Sequence, residues 1–220
     1  VGADTAGVIL SEEPQCQDQM TLLVDVGTNA EIVLGNRQRL LACSSPTGPA
    51  FEGAQISCGQ RAAAGEVERV RIDPSSLEPR FRVIGSQIWS DQPGFVASLD
   101  QRGVTGICGS GIIEVVAEMY LAGIVSEDGV IDGALRARSA RIVETGRTWS
   151  YLLHDPDDDG AQLLITQSDI RQIQLAKAAL YAGIKLLMDH MGTPNIERIR
   201  LAGAFGSHID VQRAMVLGLI

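Results

Sequence analysis

The stretch LLVDVGTNAEIVLGN, residues 22 to 36, constrains the fold more than any other part of the 220-residue chain. Met20 to Val26 is short and apolar and reads as a buried strand. Asp25 stands at its end, where a carboxylate is costly unless it is paired, hydrogen-bonded or near a metal. Gly27, Thr28 and Asn29 then form a tight turn, because Gly and Asn tolerate positive φ. Ala30 to Leu34 reads as the next strand, Gly35-Asn36 as a hairpin signal, and Leu40 to Cys43 as the strand that pairs back. The expectation is an antiparallel meander of three strands. Its first corner offers a carboxylate and converging N–H groups, which are what a hydrated cation and an anion require. An ordinary hairpin with an Asx-turn at Asp25 explains the same residues.

Downstream, residues 44 to 65 are rich in Ser, Pro, Gly and Ala, and suit close backbone packing around a site. Short β patterns, VERVRI and FRVIG, flank the turn-like DPSSLEPR. Thr105 to Gly111 (TGICGSG) opens a helix running to about Ala122, with Gly123 as its stop. Residues 126 to 160 read as polar and irregular, and Leu163 to Thr166 as a strand. Ser168 is positioned to cap a long helix with the apolar stripe Ile170, Ile173, Ala176, Leu180, Ile184 and Leu187. Ile196 to Ala202 reads as a strand, Gly203 to Gly206 as a tight loop, and Asp210 as the cap of a last helix. Near the start, Asp4 is the expected cap of a first helix. With no internal repeat or linker, residues 1–220 read as a single α/β unit: a mixed sheet with helices on its faces.

Composition excludes whole classes of function. A net charge of -9 repels phosphate backbones and argues against a polybasic membrane anchor, so no nucleic-acid or membrane partner is expected. Aromatic residues make up 4%, too few for a base-stacking platform. Cys16, Cys43, Cys58 and Cys108 form no CxxC pair, so they read as reduced, mostly buried thiols of a cytoplasmic protein.

Two further Gly-rich turns invite a ligand. Gly109, Ser110 and Gly111 precede a helix, where N–H groups and the positive end of the dipole meet an anion; close helix–sheet packing is the alternative. Gly203, Ala204 and Gly206 lie between a strand and a helix and leave room for a flat ligand, or simply make a tight turn. His154 to Asp159 (HDPDDD) lacks EF-hand spacing and reads as a solvated acidic loop. Cys108, at a helix start, has no partner base in the sequence.

Taken in order, the three turns resemble those of the actin-like ATPase superfamily. The closer resemblance is to ATP-dependent reductive activators of corrinoid proteins. It is carried by Asp25 to Asn36, by Gly48 to Ala54 (GPAFEGA), by Thr105 to Ile113, by Ile165-Thr166-Gln167 with Asp169-Ile170-Arg171, and by Leu201 to Gly206. The resemblance runs from about residue 22 to the end of the chain. It implies a ribonuclease-H-like half-domain of an actin-like ATPase that binds ATP and magnesium. Asp25 would face magnesium through water, Gly27, Thr28 and Asn29 the β- and γ-phosphates, Gly109, Ser110 and Gly111 the same cleft, and Gly203, Ala204 and Gly206 the adenosine. Glu52 is a candidate polar group in that cleft, and no catalytic base is assigned.

The resemblance further implies reduction of an inactive cob(II)alamin centre in a corrinoid protein or corrinoid-dependent methyltransferase. In the family a 2Fe–2S ferredoxin domain precedes the ATPase domain, and its cysteines are not in this sequence. Asn29-Ala30 stands where Asn-Gly is usual. The single DxGT hairpin makes this chain the expected C-terminal half of the ATPase domain. The first phosphate motif would lie upstream, and a last strand and helix beyond Ile220. Homodimerisation stays open. The alternatives are a non-catalytic docking module for the corrinoid partner, or an activator of another low-potential metalloenzyme.

Overall fold

Leu22, Leu23 and Val24 are all buried, so the first strand is covered on both faces. The computed structural model describes residues 2–156 and 161–220. The chain begins with α1 (Ala3–Glu12), β1 (Thr21–Asp25), β2 (Ala30–Asn36) and β3 (Arg39–Ser45). Next come β4 (Glu66–Ile72), β5 (Pro79–Val83), α2 (Phe95–Ser98), β6 (Gly106–Ile107) and α3 (Gly109–Leu121). It ends with β7 (Ile142–Thr145), β8 (Thr148–His154), β9 (Leu163–Thr166), α4 (Gln167–Met191), β10 (Arg198–Ala202), α5 (Gly203–Gly206) and α6 (Val211–Val216).

The expected meander forms: β1 pairs with β2 and β2 with β3, both antiparallel, while β10 joins the other edge of β1 in parallel. The register sets Asp25 opposite Ala202, so the first and third Gly-rich turns leave the sheet side by side. The hairpin loop falls at Arg37-Gln38, two residues past the expected place, because Asn36 is still paired with Arg39. Gly35 lies within β2, where a Cβ would collide with the backbone of Arg39 and Leu40.

The strands divide over three sheets, not one: β10-β1-β2-β3, β5-β4-β6 and β7-β8-β9. The second sheet stops because side chains take over its edge. Along β4, β6 reaches Glu66 and Val67, and its Ile107 also bridges Gly59 on the other side. Beyond Val67 the amides of Val70 and Ile72 donate to the carboxylates of Glu114 (2.9 Å) and Glu118 (3.0 Å) on α3. Four residues along a helix rise about 6 Å, close to two residues along a strand, so the two spacings match. Arg69 and Arg71 bond Glu114 at 2.7 and 2.6 Å, and Arg213 of α6 bonds Glu118 at 2.7 Å. Helix α3 is therefore buried nearly all round, with Gly111 set against the Val67 carbonyl, where no side chain fits.

Several local expectations shift. Residues 126 to 160 are not irregular throughout: they hold a 3-10 turn (Gly133–Ala137) and the β7–β8 hairpin. Its core strand carries Ser150, Tyr151, Leu152 and Leu153, all buried, so no polar-out alternation marks it. The Tyr151 hydroxyl donates to the Leu77 carbonyl at 2.9 Å. Helix α4 is capped by Thr166, not Ser168, in a reciprocal box with Asp169. Gly2, not Asp4, is the N-cap of α1, with Asp4 in its first turn. Asp210 caps α6 as expected. Of the four thiols only Cys108 is fully buried: Cys43 and Cys58 are half-buried and Cys16 is exposed.

Glu66 is 2% exposed, and only one of its oxygens is satisfied, by the Thr105 hydroxyl at 2.7 Å. Burial pushes its carboxyl above the ordinary 4.5, against the opposing pull of Thr105 and Arg102. The folded chain thus holds this proton more tightly than the unfolded one, and stability is lost as pH rises through the raised value. Between pH 5 and pH 8 the wild-type melting temperature should fall, and Glu66→Gln should reduce that fall. Paired melts at the two pH values check this, and an identical fall in both proteins would contradict it.

Candidate functional site

The turn after β1 owes its shape to Thr47. The Thr47 hydroxyl donates to the carbonyls of Gly27 (2.7 Å) and Thr28 (3.2 Å), and the Gly48 amide donates to the Thr28 carbonyl (2.9 Å). The turn thereby has its Gly27 and Thr28 carbonyls engaged. Its donors are not: among the described residues, the amides of Gly27, Thr28 and Asn29 reach no protein acceptor. Unpaired amides at an exposed turn are free to donate to an anion. Sequence reasoning missed Thr47, whose only signal is a buried hydroxyl in a Ser/Pro/Gly-rich stretch. Thr47→Val should cost about 1–2 kcal/mol of stability, since the Gly27 carbonyl loses its donor and the Thr28 carbonyl one of two; the urea midpoint measures it.

Asp25 lies half-buried at the base of this turn, and among the described residues its carboxylate accepts no hydrogen bond. Burial, with Asp4 and Glu31 nearby, raises its pKa above the ordinary 3.8. Gly203, at φ +82°, presses its α-carbon against that carboxylate, and any side chain there would collide with Oδ1. Asp25, Ala202, Gly203 and Ser207 open on a cavity of about 560 Å³, bounded across from them by α1. An orphan carboxylate in a concave, acidic setting fits a hydrated divalent cation.

On the other side of α5 lies a cleft of about 470 Å³. It is lined by Glu52, Arg61, Gly109, Ser110, Ala204 and His208, along with the rings of Phe51 and Phe205. The two rings stack with centroids 6.3 Å apart. Gly109 is wedged between the Phe51 carbonyl and the Phe205 ring, so its lack of a side chain lets the second and third turns meet. The Thr28 hydroxyl donates to Glu52 at 2.8 Å, which ties the first turn to the cleft wall.

The expected residues therefore gather in three ways. Asp25 meets Gly203; Thr28 meets the cleft through Glu52; Gly109, Ser110 and Ala204 line one wall. Asn29 is exposed at the turn, Gly206 is the buried last residue of α5, and Gly111 faces β4 rather than the cleft. Residues 203 to 206 form one turn of helix, not a loop. Arg61 and His208 were not foreseen as wall residues. Asp157 to Asp159 of the acidic stretch lie outside the described residues. Among the described residues no three His, Cys, Asp or Glu side chains are grouped to hold a metal. A larger groove of about 1070 Å³ beside Phe81, Phe95 and Arg141 includes none of the expected residues.

A family model described as the C-terminal domain of RACo, the ASKHA domain, matches residues 19–220. The chain belongs to this family. Corrinoid activation enzyme RamQ of Eubacterium limosum is 33% identical over 229 residues, spanning 100% of this chain and 35% of RamQ. The Co(II) methylated amine-specific corrinoid protein reductase of Methanosarcina barkeri is 26% identical over 227 residues, spanning 99% of this chain and 38% of the reductase. A solved reductive activator for corrinoid, iron–sulfur protein superposes with a TM-score of 0.84 at 33% identity, over 100% of this chain and 33% of that one. The chain thus spans about a third of the length of these relatives. Family membership and the α/β ASKHA fold agree with the reading of the motifs. No described helix is long and apolar enough to cross a membrane.

Proposed function

We propose that this chain forms one wall of a magnesium–ATP site in an activator that reduces the inactive cob(II)alamin of a corrinoid protein or corrinoid-dependent methyltransferase. The observation that carries the nucleotide reading is the first turn: three unpaired amides beside an orphan carboxylate, with a cleft of nucleoside size next to it. Gly27, Thr28 and Asn29 would donate to the β- and γ-phosphates. Asp25 would hold the water shell of magnesium. Ser110, Ala204 and the Phe51–Phe205 pair would border the adenosine.

Magnesium, when bound, supplies charge neutralisation for the phosphates. The chain's own part is positioning. Thr47 keeps the amides turned outward, Gly203 keeps Asp25 accessible, and Gly109 lets the two aromatic walls close on each other. The first half of the ATPase domain, the 2Fe–2S domain and a cytoplasmic setting are assigned to the full-length protein on the family's pattern. ATP binding and hydrolysis would drive a change in the corrinoid environment that makes the uphill electron transfer feasible.

Calorimetric titration of magnesium–ATP into this chain and into the longer protein tests the reading. Binding by the longer protein that is weaker or absent in the chain supports a site shared between two halves. No binding by either in the millimolar range would leave the turn as a structural hairpin and favour the docking-module alternative.

A further inference from the structure

A nucleotide that reaches from the cleft to the first turn must pass Glu52. Its side chain lines the cleft, and its Oε1 accepts the Thr28 hydroxyl at 2.8 Å. The same oxygen faces the α-carbon of Gly27, where a methyl group would sit 3.5 Å away. Among the described residues, the Thr28 hydroxyl is the only hydrogen-bond or ion-pair partner of this carboxylate. Arg61 lines the same cleft without pairing with it. Asp25, at the base of the same turn, adds a second carboxylate that has no hydrogen-bond donor among the described residues.

We propose that Glu52 makes this site select the magnesium complex of a nucleotide over the free polyphosphate. The inference rests on the nucleotide reading above and adds a specificity-determining residue to it. A carboxylate held beside phosphate oxygens repels them, more strongly where protein walls thin out the water. A divalent cation between the two reverses the sign. The Thr28 hydrogen bond fixes the carboxylate at the junction of turn and cleft, so the repulsion acts at one defined point. Adenosine carries no phosphate and is indifferent to it.

The test is calorimetry on the longer protein that contains this chain, with three ligands: adenosine, ATP with magnesium, and ATP with a chelator. Wild type should prefer magnesium–ATP over free ATP by about tenfold or more. Glu52→Gln keeps an acceptor for Thr28 and removes the charge. It should bind free ATP more tightly, narrowing the preference to about threefold or less with adenosine affinity unchanged. Glu52→Ala should narrow it likewise, and Glu52→Asp should retain it. An unchanged preference in both neutral variants overturns the role of Glu52 and leaves the nucleotide reading intact. If wild type and Glu52→Gln both fail to bind all three ligands, the nucleotide reading falls, and this inference falls with it.

Discussion

Asp25→Ala should lower magnesium–ATP affinity about a hundredfold, ~2.7 kcal/mol, while adenosine affinity stays within about twofold. The split follows from geometry. Asp25 borders the cavity on one side of α5, and the cleft proposed for the nucleoside lies on the other. The same carboxylate is a liability to the fold. Its pKa is raised by burial, by Asp4 and by Glu31. A raised acid contributes most to stability when protonated, and that contribution is lost as pH climbs through its folded pKa. At pH 7.5, then, Asp25→Asn should melt about 1–2 °C higher than wild type, after allowance for solvent screening, although it binds magnesium–ATP poorly. Affinity for the magnesium complex should also fall as pH is lowered through the raised pKa, because the protonated acid no longer attracts the cation's shell. Melting curves and titrations on the two proteins decide it. A variant that binds like wild type would show that Asp25 is only the end of a strand.

The largest effect on stability should come from Glu114→Ala. Its side chain is 0% exposed and holds three donors: Arg69, Arg71 and the Val70 amide. Removing it strands two guanidinium groups and an interior amide, at about 3–5 kcal/mol. For a chain of this size that lowers the melting temperature by about 10 °C. Glu114→Gln keeps the shape and one acceptor, and should fall between the two. Equal urea midpoints for wild type and Glu114→Ala would mean that β4 does not depend on α3 for its edge.

These two residues also mark how far the sequence can be read. Asp25 was legible because every cue to it is local: an acidic residue ends a buried apolar run, and Gly and Asn follow at once. Glu114 was not. On α3 the apolar positions Ile112, Val115, Val116 and Met119 suggest a helix with one buried face, and a glutamate between them reads as solvent-facing. Its burial depends on Arg69 and Arg71, more than forty residues earlier, being set two apart on a strand with a vacant edge. The β7–β8 hairpin was missed for a related reason: β8 is covered on both faces from Ser150 to Leu153, so the period-2 signal is absent there. The Thr166 cap lost to Ser168 in the reading because both residues are good caps, and only the contact with Asp169 separates them.

By itself the sequence determined the meander, the order of the three Gly-rich turns, the long capped helix and the family, because each rests on neighbours along the chain or on a motif. Tertiary structure alone decided that the strands divide over three sheets, that Gly111 serves packing while Gly109 joins two turns, and that Thr47 bonds the carbonyls of Gly27 and Thr28 while the turn's amides stay open. It also decided that Glu52 touches Thr28. Those outcomes depend on which surfaces meet after collapse, and hydrogen-bond donors and acceptors far apart in the chain are matched only there.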